Sequence, residues 1–332
     1  MTDEPFMPIA LIGPEPIRRQ PGRYREILEA AGFDLVYPDG DGTLTEAQLR
    51  KLLPMADVAM AGSERYSPDI LTLAPRLKII ARTGVGYDAI DVPAASARGI
   101  AVTIAPGTNQ ESVAEQAFGL LLAITRKIAY YDRVIREGRW ERDVVSPIRG
   151  KTLGLVGLGR IGRAMVPRAV AFGMNVVAFD LARDDEFDLK HGLQRVLFER
   201  LLAESDVVSL HLPATAETRG IINRETLAKM KPGAILLNTA RGPLVNESDL
   251  LDALNSGRIA GAGLDVFDPE PPLPTNPLLK HPHVVSSPHV AGIDSKSMDD
   301  MATLAAQCMV EVAKGTWPVA CMVNPELAAR AL

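Results

Sequence analysis

The sequence predicts an α/β protein that contains two doubly wound parallel-sheet domains. Short apolar runs rich in Val, Ile and Leu alternate with helical segments along the 332 residues. Such alternation is typical of parallel sheets with helices packed on both faces. The alternation is interrupted by one long helical stretch near the middle of the chain and then restarts. Because one domain holds roughly 100–200 residues, we expect two domains.

The first part of the chain is predicted to form a parallel sheet from short apolar runs. The strands are Ile9–Ile12, Asp34–Tyr37, Val58–Met60, Lys78–Arg82 and Ile100–Ile104. The helices between them are Arg23–Ala31, Glu46–Leu53, Asp69–Ala74 and Pro93–Arg98. Gly32 and Gly99 follow two of these helices, a position where glycine is typical of a helix end.

A long helix is predicted over Glu111–Arg136, with Asn109 or Ser112 as its N-cap. Its apolar residues fall near one face, which favours a contact with the core or with another subunit. The first set of strands and helices ends just before it, so we place a domain boundary near Ala105–Gly107.

The second part of the chain repeats the alternation. The predicted strands are Thr152–Val156, Asn175–Phe179, Asp206–Leu210, Ala234–Asn238, Gly261–Val266 and His283–Ser286. A helical run over Arg163–Phe172 follows the first of them, and a closing helix is expected at about Ser295–Lys314.

Composition excludes several classes of protein. The net charge of −5, with both signs interspersed, gives no basic surface for nucleic acid or an anionic membrane. Cys308 and Cys321 have no zinc-type spacing, so no metal site is predicted. The acidic N-terminus does not resemble a signal peptide, and no apolar run approaches the ~20 residues of a membrane span. We therefore expect a cytoplasmic protein.

A dinucleotide fingerprint follows the strand Thr152–Val156. Gly157, Gly159 and Gly162 form a Gly-x-Gly-x-x-Gly pattern between this strand and a helix. Here the glycines permit a tight turn, close approach of a pyrophosphate and close helix packing. Asp180 ends the next strand, where a carboxylate can bind the ribose hydroxyls. The negative charge of Asp180 would repel the 2′-phosphate of NADP, so we predict NAD in preference to NADP. Arg183 lies nearby and carries the positive charge that a 2′-phosphate would favour.

Three candidate catalytic side chains are expected at the same edge of the second sheet. Arg241, Glu270 and His289 each follow a predicted strand, and the carboxyl ends of parallel strands share one edge. An arginine can hold a carboxylate in bidentate fashion, and a histidine can exchange a proton near neutral pH. A carboxylate can orient that imidazole. The set fits hydride exchange between a nicotinamide and a small 2-oxo or 2-hydroxy acid.

The chain closely resembles the D-isomer-specific 2-hydroxyacid dehydrogenase family, which includes phosphoglycerate dehydrogenases and glyoxylate/hydroxypyruvate reductases. The resemblance covers nearly the whole chain. It is carried by the segments 81–88, 157–162, 238–242, 264–271 and 287–292.

The resemblance implies specific roles and a domain layout. Arg241, Glu270 and His289 would be the catalytic set, and Arg82, Val85, Gly86 and Arg241 would contact the substrate. The implied cofactor contacts are Gly157, Gly159, Arg160, Ile161, Gly162, Asp180, Leu212, Pro213, Thr218, Thr239, Ala240, Arg241, Asp265, His289 and Gly292. Residues 1–105 and 292–332 would form a flavodoxin-like substrate domain, and residues 106–291 a Rossmann NAD-binding domain, with the site in the cleft between them. A homodimer across the long helix is implied as well.

The substrate stays open at this point. Arg82 and Trp140 look like the phosphoglycerate dehydrogenase branch, which is the branch favoured here. Ala61 stands where that branch usually has an arginine, and Glu64 would place negative charge near a phosphate unless it points away. Glyoxylate/hydroxypyruvate reductase is the alternative enzyme. A protein that senses NAD(H) as a corepressor is the alternative outside enzymes, which the acidic charge disfavours.

Overall fold

The computed structural model describes residues 7–18 and 21–330. The strands are β1 Ile9–Ile12, β2 Asp34–Val36, β3 Val58–Ala61, β4 Ile79–Arg82, β5 Ala101–Thr103, β6 Thr152–Val156, β7 Asn175–Phe179, β8 Gln194–Arg195, β9 Val207–Leu210, β10 Ala234–Asn238, β11 Ile259–Leu264 and β12 Val284–Ser286.

The helices lie between these strands along the chain and after the last of them. They are α1 Glu15–Arg18, α2 Arg23–Ala30, α3 Glu46–Leu52, α4 Pro68–Leu71, α5 Val92–Ala97, α6 Gln110–Thr125, α7 Ile128–Arg136, α8 Arg160–Ala171, α9 Asp185–His191, α10 Phe198–Glu204, α11 Arg224–Lys229, α12 Glu247–Asn255, α13 Ser295–Ala313 and α14 Glu326–Arg330. Short 3-10 helices occupy Leu53–Met55, Gly242–Leu244, Pro277–Lys280 and Val319–Cys321.

The chain divides into two compact units. The first unit comprises Met1–Asn109 and Ile293–Leu332, and the second comprises Gln110–Gly292. The division at Asn109 lies a few residues after the predicted end of the first segment at residue 105. The return at Ile293 lies one residue after the predicted position 292.

The first unit is a parallel sheet with the strand order β2-β1-β3-β4-β5. Both faces are covered, because Ala10 and Ile12 pack into one apolar cluster with α13, whereas Leu11 packs into another with α3. Burial on both faces explains why these strands are continuous apolar runs. The strand order reverses between β1 and β3, so this is the flavodoxin-like arrangement and its topological switch point.

The second unit is a parallel sheet with the order β12-β11-β10-β9-β6-β7-β8. The order in which the strands are added along the sheet reverses between β6 and β9, as in a Rossmann fold. Separate apolar clusters cover the two faces, one around Leu236 and one around Leu237. The predicted fold class of two doubly wound parallel-sheet domains is thus confirmed, and the ends of the predicted strands differ from the observed ends by at most two residues.

The prediction of one continuous helix over Glu111–Arg136 is wrong. The structure divides this stretch into α6 and α7, with Lys127 between them in the left-handed region at φ 53°. A left-handed residue ends the regular helical hydrogen bonding and turns the chain. Neither glycine nor proline occurs in residues 122–128 to mark this break. Strand β8 was also not predicted, since two residues form no detectable pattern.

Within residues 7–18 and 21–330, no helix combines the length and the apolar character that crossing a bilayer requires.

Candidate functional site

The glycine loop lies at the carboxyl edge of the second unit's sheet, between β6 and α8. Gly157 has φ +100°, and a Cβ on it would come within 2.6 Å of the His211 carbonyl oxygen. A Cβ on Gly162 would collide with the Gly157 carbonyl oxygen. By contrast, nothing lies within 4 Å of the Cβ position of Gly159, which caps α8 without a side chain. The loop therefore leaves open space at a helix N-terminus, which fits a pyrophosphate.

Asp180 ties the end of β7 to this loop. Its Oδ2 accepts a hydrogen bond of 2.6 Å from the Leu158 N–H, and its Oδ1 accepts one of 2.8 Å from the Ala182 N–H. The half-buried carboxylate is thus held beside the open glycine loop, as the fingerprint predicts. Arg183 is exposed, and Asp184 pairs with Arg163 at 2.6 Å.

Other predicted cofactor contacts lie at this same edge. Arg160 and Ile161 form the first turn of α8, whereas Leu212, Pro213 and Thr218 belong to the loop after β9. The Thr218 hydroxyl donates a hydrogen bond of 2.7 Å to the Pro213 carbonyl, which closes that loop.

Thr239 and Ala240 follow β10 at the same edge, and both are buried. The Thr239 hydroxyl has no hydrogen-bond partner within the described part of the chain. A buried hydroxyl without a partner is costly, so its position here fits a contact with a bound cofactor. The open loop, the Asp180 carboxylate and this hydroxyl together fit a dinucleotide.

His211 follows β9 and is held as a neutral ring. Its Nε2 lies 2.9 Å from the Ser209 hydroxyl, and its buried Nδ1 has no partner among the residues described. Burial lowers the pKa of His211 to about 4. The ring is therefore uncharged at neutral pH and cannot serve as the acid there.

Stability should fall as the pH drops from about 6.5 towards 4 because of His211. The unfolded chain takes up a proton near the ordinary pKa of about 6.5, while the native ring stays neutral down to about 4. Below pH 6.5 the native state is consequently disfavoured, by about 2–3 kcal/mol at pH 4.5. Urea unfolding of the protein and of His211→Gln at pH 7 and pH 4.5 measures this loss. An equal fall in the free energy of unfolding in the two proteins would contradict the attribution of the loss to His211.

Arg241 lies in a turn that Asn238 organises at the end of β10. The Asn238 amide donates to the Arg241 carbonyl at 2.9 Å and its oxygen accepts from the Ala240 N–H at 3.1 Å. Gly242 follows directly, and a Cβ on it would collide with the Phe267 carbonyl oxygen. The missing side chain therefore lets this turn pack against the segment that leads to Glu270.

His289 and Glu270 form a hydrogen-bonded pair. The His289 Nδ1 lies 2.8 Å from the Glu270 Oε2, and each side chain is 39% exposed. His289 itself has φ 53°, a left-handed conformation that is uncommon for residues other than glycine. Because Glu270 engages Nδ1, the other ring nitrogen, Nε2, is the one that can meet a ligand. The structure thus brings together two of the three predicted side chains, and it places the turn of the third beside them.

Asp265 holds the loop that carries His289. The fully buried carboxylate accepts hydrogen bonds from the Ser287 hydroxyl at 2.5 Å, the Val290 N–H at 3.0 Å and the Ala291 N–H at 2.9 Å. Its backbone carbonyl also accepts the His289 N–H at 2.8 Å. These bonds hold His289 in its left-handed conformation. The sequence suggested only a cofactor contact here, although an acid after an apolar strand is itself a signal of an internal anchor.

Glu247 holds the loop that carries Glu270, and the sequence did not indicate it. Its Oε1 accepts a bond of 2.9 Å from the Asp268 N–H, and its Oε2 accepts one of 2.6 Å from the Asn276 side chain. These contacts join the two ends of the loop around Glu270. They link residues far apart in sequence, so no local pattern could have revealed them.

The predicted substrate contacts Arg82, Val85 and Gly86 belong to the first unit. Arg82 ends β4, and its guanidinium donates to the Thr83 carbonyl at 3.0 Å. The turn that follows is tied down by the hydrogen bond of 2.8 Å from Ala105 N–H to the Gly84 carbonyl. Val85 and Gly86 are half-buried in this turn, at the carboxyl edge of the first sheet.

No group of three or more possible metal ligands occurs in the part of the chain that the structure describes.

Comparisons with known proteins converge on one family. Residues 118–291, more than half of the chain, match the sequence profile described as D-isomer specific 2-hydroxyacid dehydrogenase, NAD binding domain. A D-3-phosphoglycerate dehydrogenase from Archaeoglobus fulgidus is 42% identical over 85% of this chain and 54% of its own length. A glyoxylate reductase from Thermofilum pendens is 43% identical over 80% of each chain.

A solved structure is similar as well. The crystal structure of the TT0316 protein from Thermus thermophilus has a TM-score of 0.86 and 38% identity, and covers 95% of this chain and 99% of its own. The present chain thus spans about half the length of the archaeal phosphoglycerate dehydrogenase and nearly all of this structure.

Proposed function

Because the chain belongs to the D-isomer specific 2-hydroxyacid dehydrogenase family, we propose that it transfers hydride between the nicotinamide of NAD and a small 2-oxo or D-2-hydroxy acid. The predicted family and the predicted NAD cofactor are confirmed. The observation that carries the proposed reaction is the His289–Glu270 pair at 2.8 Å, on the unit that holds the glycine loop.

The proposed acid and base is His289. The cofactor, when bound, supplies or accepts the hydride. His289 exchanges a proton between Nε2 and the reacting oxygen, which becomes a hydroxyl in the reduced acid. Glu270 fixes the orientation of the ring through Nδ1 and compensates its charge when it is protonated. Arg241 holds the substrate carboxylate, for which its planar guanidinium is suited.

The remaining contacts are assigned by unit. The first unit, predicted as residues 1–105 and 292–332, supplies Arg82 and the Val85–Gly86 turn to the substrate. The second, predicted as residues 106–291, supplies cofactor contacts, with Asp180 at the ribose and the buried Thr239 hydroxyl as a further contact. The other proposed cofactor contacts are Gly157, Gly159, Arg160, Ile161, Gly162, Leu212, Pro213, Thr218, Ala240, Arg241 and His289, together with Gly292 at the domain boundary. Asp265 acts through the His289 loop, since its carboxylate is already occupied by three donors.

Replacing Asp180 with Ala should reduce the preference for NADH over NADPH. The carboxylate that repels a 2′-phosphate and binds the ribose hydroxyls is then gone, and we expect the ratio of kcat/KM values to fall by about tenfold or more. Steady-state kinetics with both cofactors gives the ratio. Asp184→Ala, in the same loop, serves as the control, and an unchanged ratio in Asp180→Ala would mean that another group reads the ribose.

A cytoplasmic homodimer is the proposed state. The apolar residues Ile128, Ile135, Trp140 and Val144 are exposed on α7 and on the segment after it, with Trp140 80% exposed. Several large apolar side chains exposed within one short segment favour a contact with another protein. Both cysteines are free thiols, which suits a reducing compartment. Sedimentation analysis of the protein and of Trp140→Ser tests the dimer.

A substrate panel separates the proposed function from its alternatives. NADH consumption with glyoxylate or hydroxypyruvate supports a 2-oxo acid reductase, whereas oxidation of 3-phosphoglycerate with NAD supports the phosphoglycerate dehydrogenase. Tight NADH binding without turnover of any 2-oxo acid would instead support an NAD(H)-sensing binding protein.

A further inference from the structure

A buried carboxylate lies at the switch point of the first unit's sheet. Gly13 follows β1 and Gly62 follows β3, the two neighbouring strands between which the strand order reverses. Ligands of open α/β sheets bind at this point, beyond the carboxyl ends of the strands. In this chain Glu64 extends into that place and is only 2% exposed.

Close contacts fix the Glu64 carboxylate. Its Oε1 accepts a hydrogen bond of 2.9 Å from the Gly62 N–H and one of 3.3 Å from the hydroxyl of the fully buried Tyr66. A Cβ on Gly13 would collide with Oε1, and a Cβ on Gly62 would lie 2.8 Å from Oε2. The carboxylate therefore occupies a cavity that two glycines leave open, and it does not turn out to solvent.

Arg82 shares this edge of the sheet. It ends β4 directly opposite Ala61 of β3, and its Nη1 lies 3.1 Å from the Cβ position of Gly84. Burial raises the pKa of Glu64, while the Gly62 N–H and the positive charge of Arg82 oppose that rise. The guanidinium and the buried carboxylate thus act electrostatically on each other, so the positive potential of Arg82 is partly offset on the side of β3.

We propose that Glu64 sets the substrate class by excluding a phosphate, so that the acid reduced at this site carries a neutral group beyond its 2-oxo carbon. The inference rests on the proposed function, because it takes Arg82 and the Val85–Gly86 turn as substrate contacts. A phosphate dianion beside Arg82 would either face the Glu64 charge or force that buried carboxylate to take up a proton. Both outcomes weaken binding of the phosphorylated acid and leave a neutral one unaffected.

The test compares two acids that differ only in the phosphate. Reduction of hydroxypyruvate and of 3-phosphohydroxypyruvate by NADH is measured with the protein and with Glu64→Gln. The protein should prefer hydroxypyruvate in kcat/KM. Glu64→Gln keeps the shape and an acceptor for the Gly62 N–H, and it should shift the ratio towards the phosphorylated acid by about tenfold.

Tyr66→Phe is the matched control, because it disturbs the same cavity without removing a charge. Its ratio should equal that of the unaltered protein, and a shift as large as that of Glu64→Gln would overturn the electrostatic role. A preference of the unaltered protein for 3-phosphohydroxypyruvate would also overturn the inference, and would indicate that Arg82 and the exposed Arg65 hold the phosphate. The comparison of the two acids with the unaltered protein therefore tests the inference even if Glu64→Gln does not fold. Turnover of neither acid, or of any other 2-oxo acid, would overturn the proposed function itself.

Discussion

Replacement of His289 with Ala should lower kcat for reduction of a 2-oxo acid by about 10²–10⁴-fold. The variant loses the nitrogen that we propose exchanges a proton with the reacting oxygen, while the glycine loop that would bind the cofactor is untouched. NADH affinity in a fluorescence titration should therefore change little. Single-turnover reduction in the presence of saturating NADH measures the loss directly.

His283→Ala is a suitable control for this variant, since His283 is an exposed histidine just before β12. It should keep full activity. Near-normal turnover of a folded His289→Ala protein would contradict the proton-transfer role. The kcat of Glu270→Gln should lie between those of His289→Ala and His283→Ala. An amide can still bond to Nδ1, but it does not compensate the charge of a protonated ring.

Replacement of Arg241 with Ala should lower kcat/KM for the 2-oxo acid by about 10²-fold or more. A charge-assisted bond to a carboxylate contributes about 1.5–3 kcal/mol, and a bidentate pair contains two of them. Arg241→Lys should recover little of this loss, because an ammonium cannot form the planar pair. Steady-state kinetics with NADH held saturating gives the values.

Arg224→Ala provides the matched control, because Arg224 is an exposed arginine that pairs with Asp252 at 2.8 Å. Its kinetics should be unchanged. If Arg241→Ala lost NADH affinity and kept its kcat/KM for the acid, Arg241 would act on the cofactor alone, and its role in holding the substrate carboxylate would be wrong.

The sequence was sufficient for the glycine loop and for every strand except the two-residue β8, because local patterns encode them. Parallel strands buried on two faces must be apolar along their whole length, so runs such as Val58–Ala61 stand out. The glycine loop depends on backbone positions where a Cβ does not fit, as at Gly162, and only glycine satisfies this condition.

The anchors of the site depend on distant contacts, so the sequence did not reveal them. Glu247 contacts Asp268 and Asn276, and the burial of Glu64 depends on Gly13, which follows the distant strand β1. The break at Lys127 was missed for a related reason: a left-handed lysine carries no residue-type signal. Sequence reasoning indicated the side chains that we propose for the chemistry, and the structure adds which residues hold them.

The anchoring of residues 287–291 on Asp265 has a practical consequence for chimeras. Grafting residues 287–291 alone into a relative would separate their amide donors from the Asp265 carboxylate that accepts the hydrogen bonds. A graft that carries 247–291 as one block keeps donor and acceptor together and includes Glu270 with its anchor Glu247. Recombination breakpoints placed outside that block should therefore preserve the acid–base pair while the rest of the protein is exchanged.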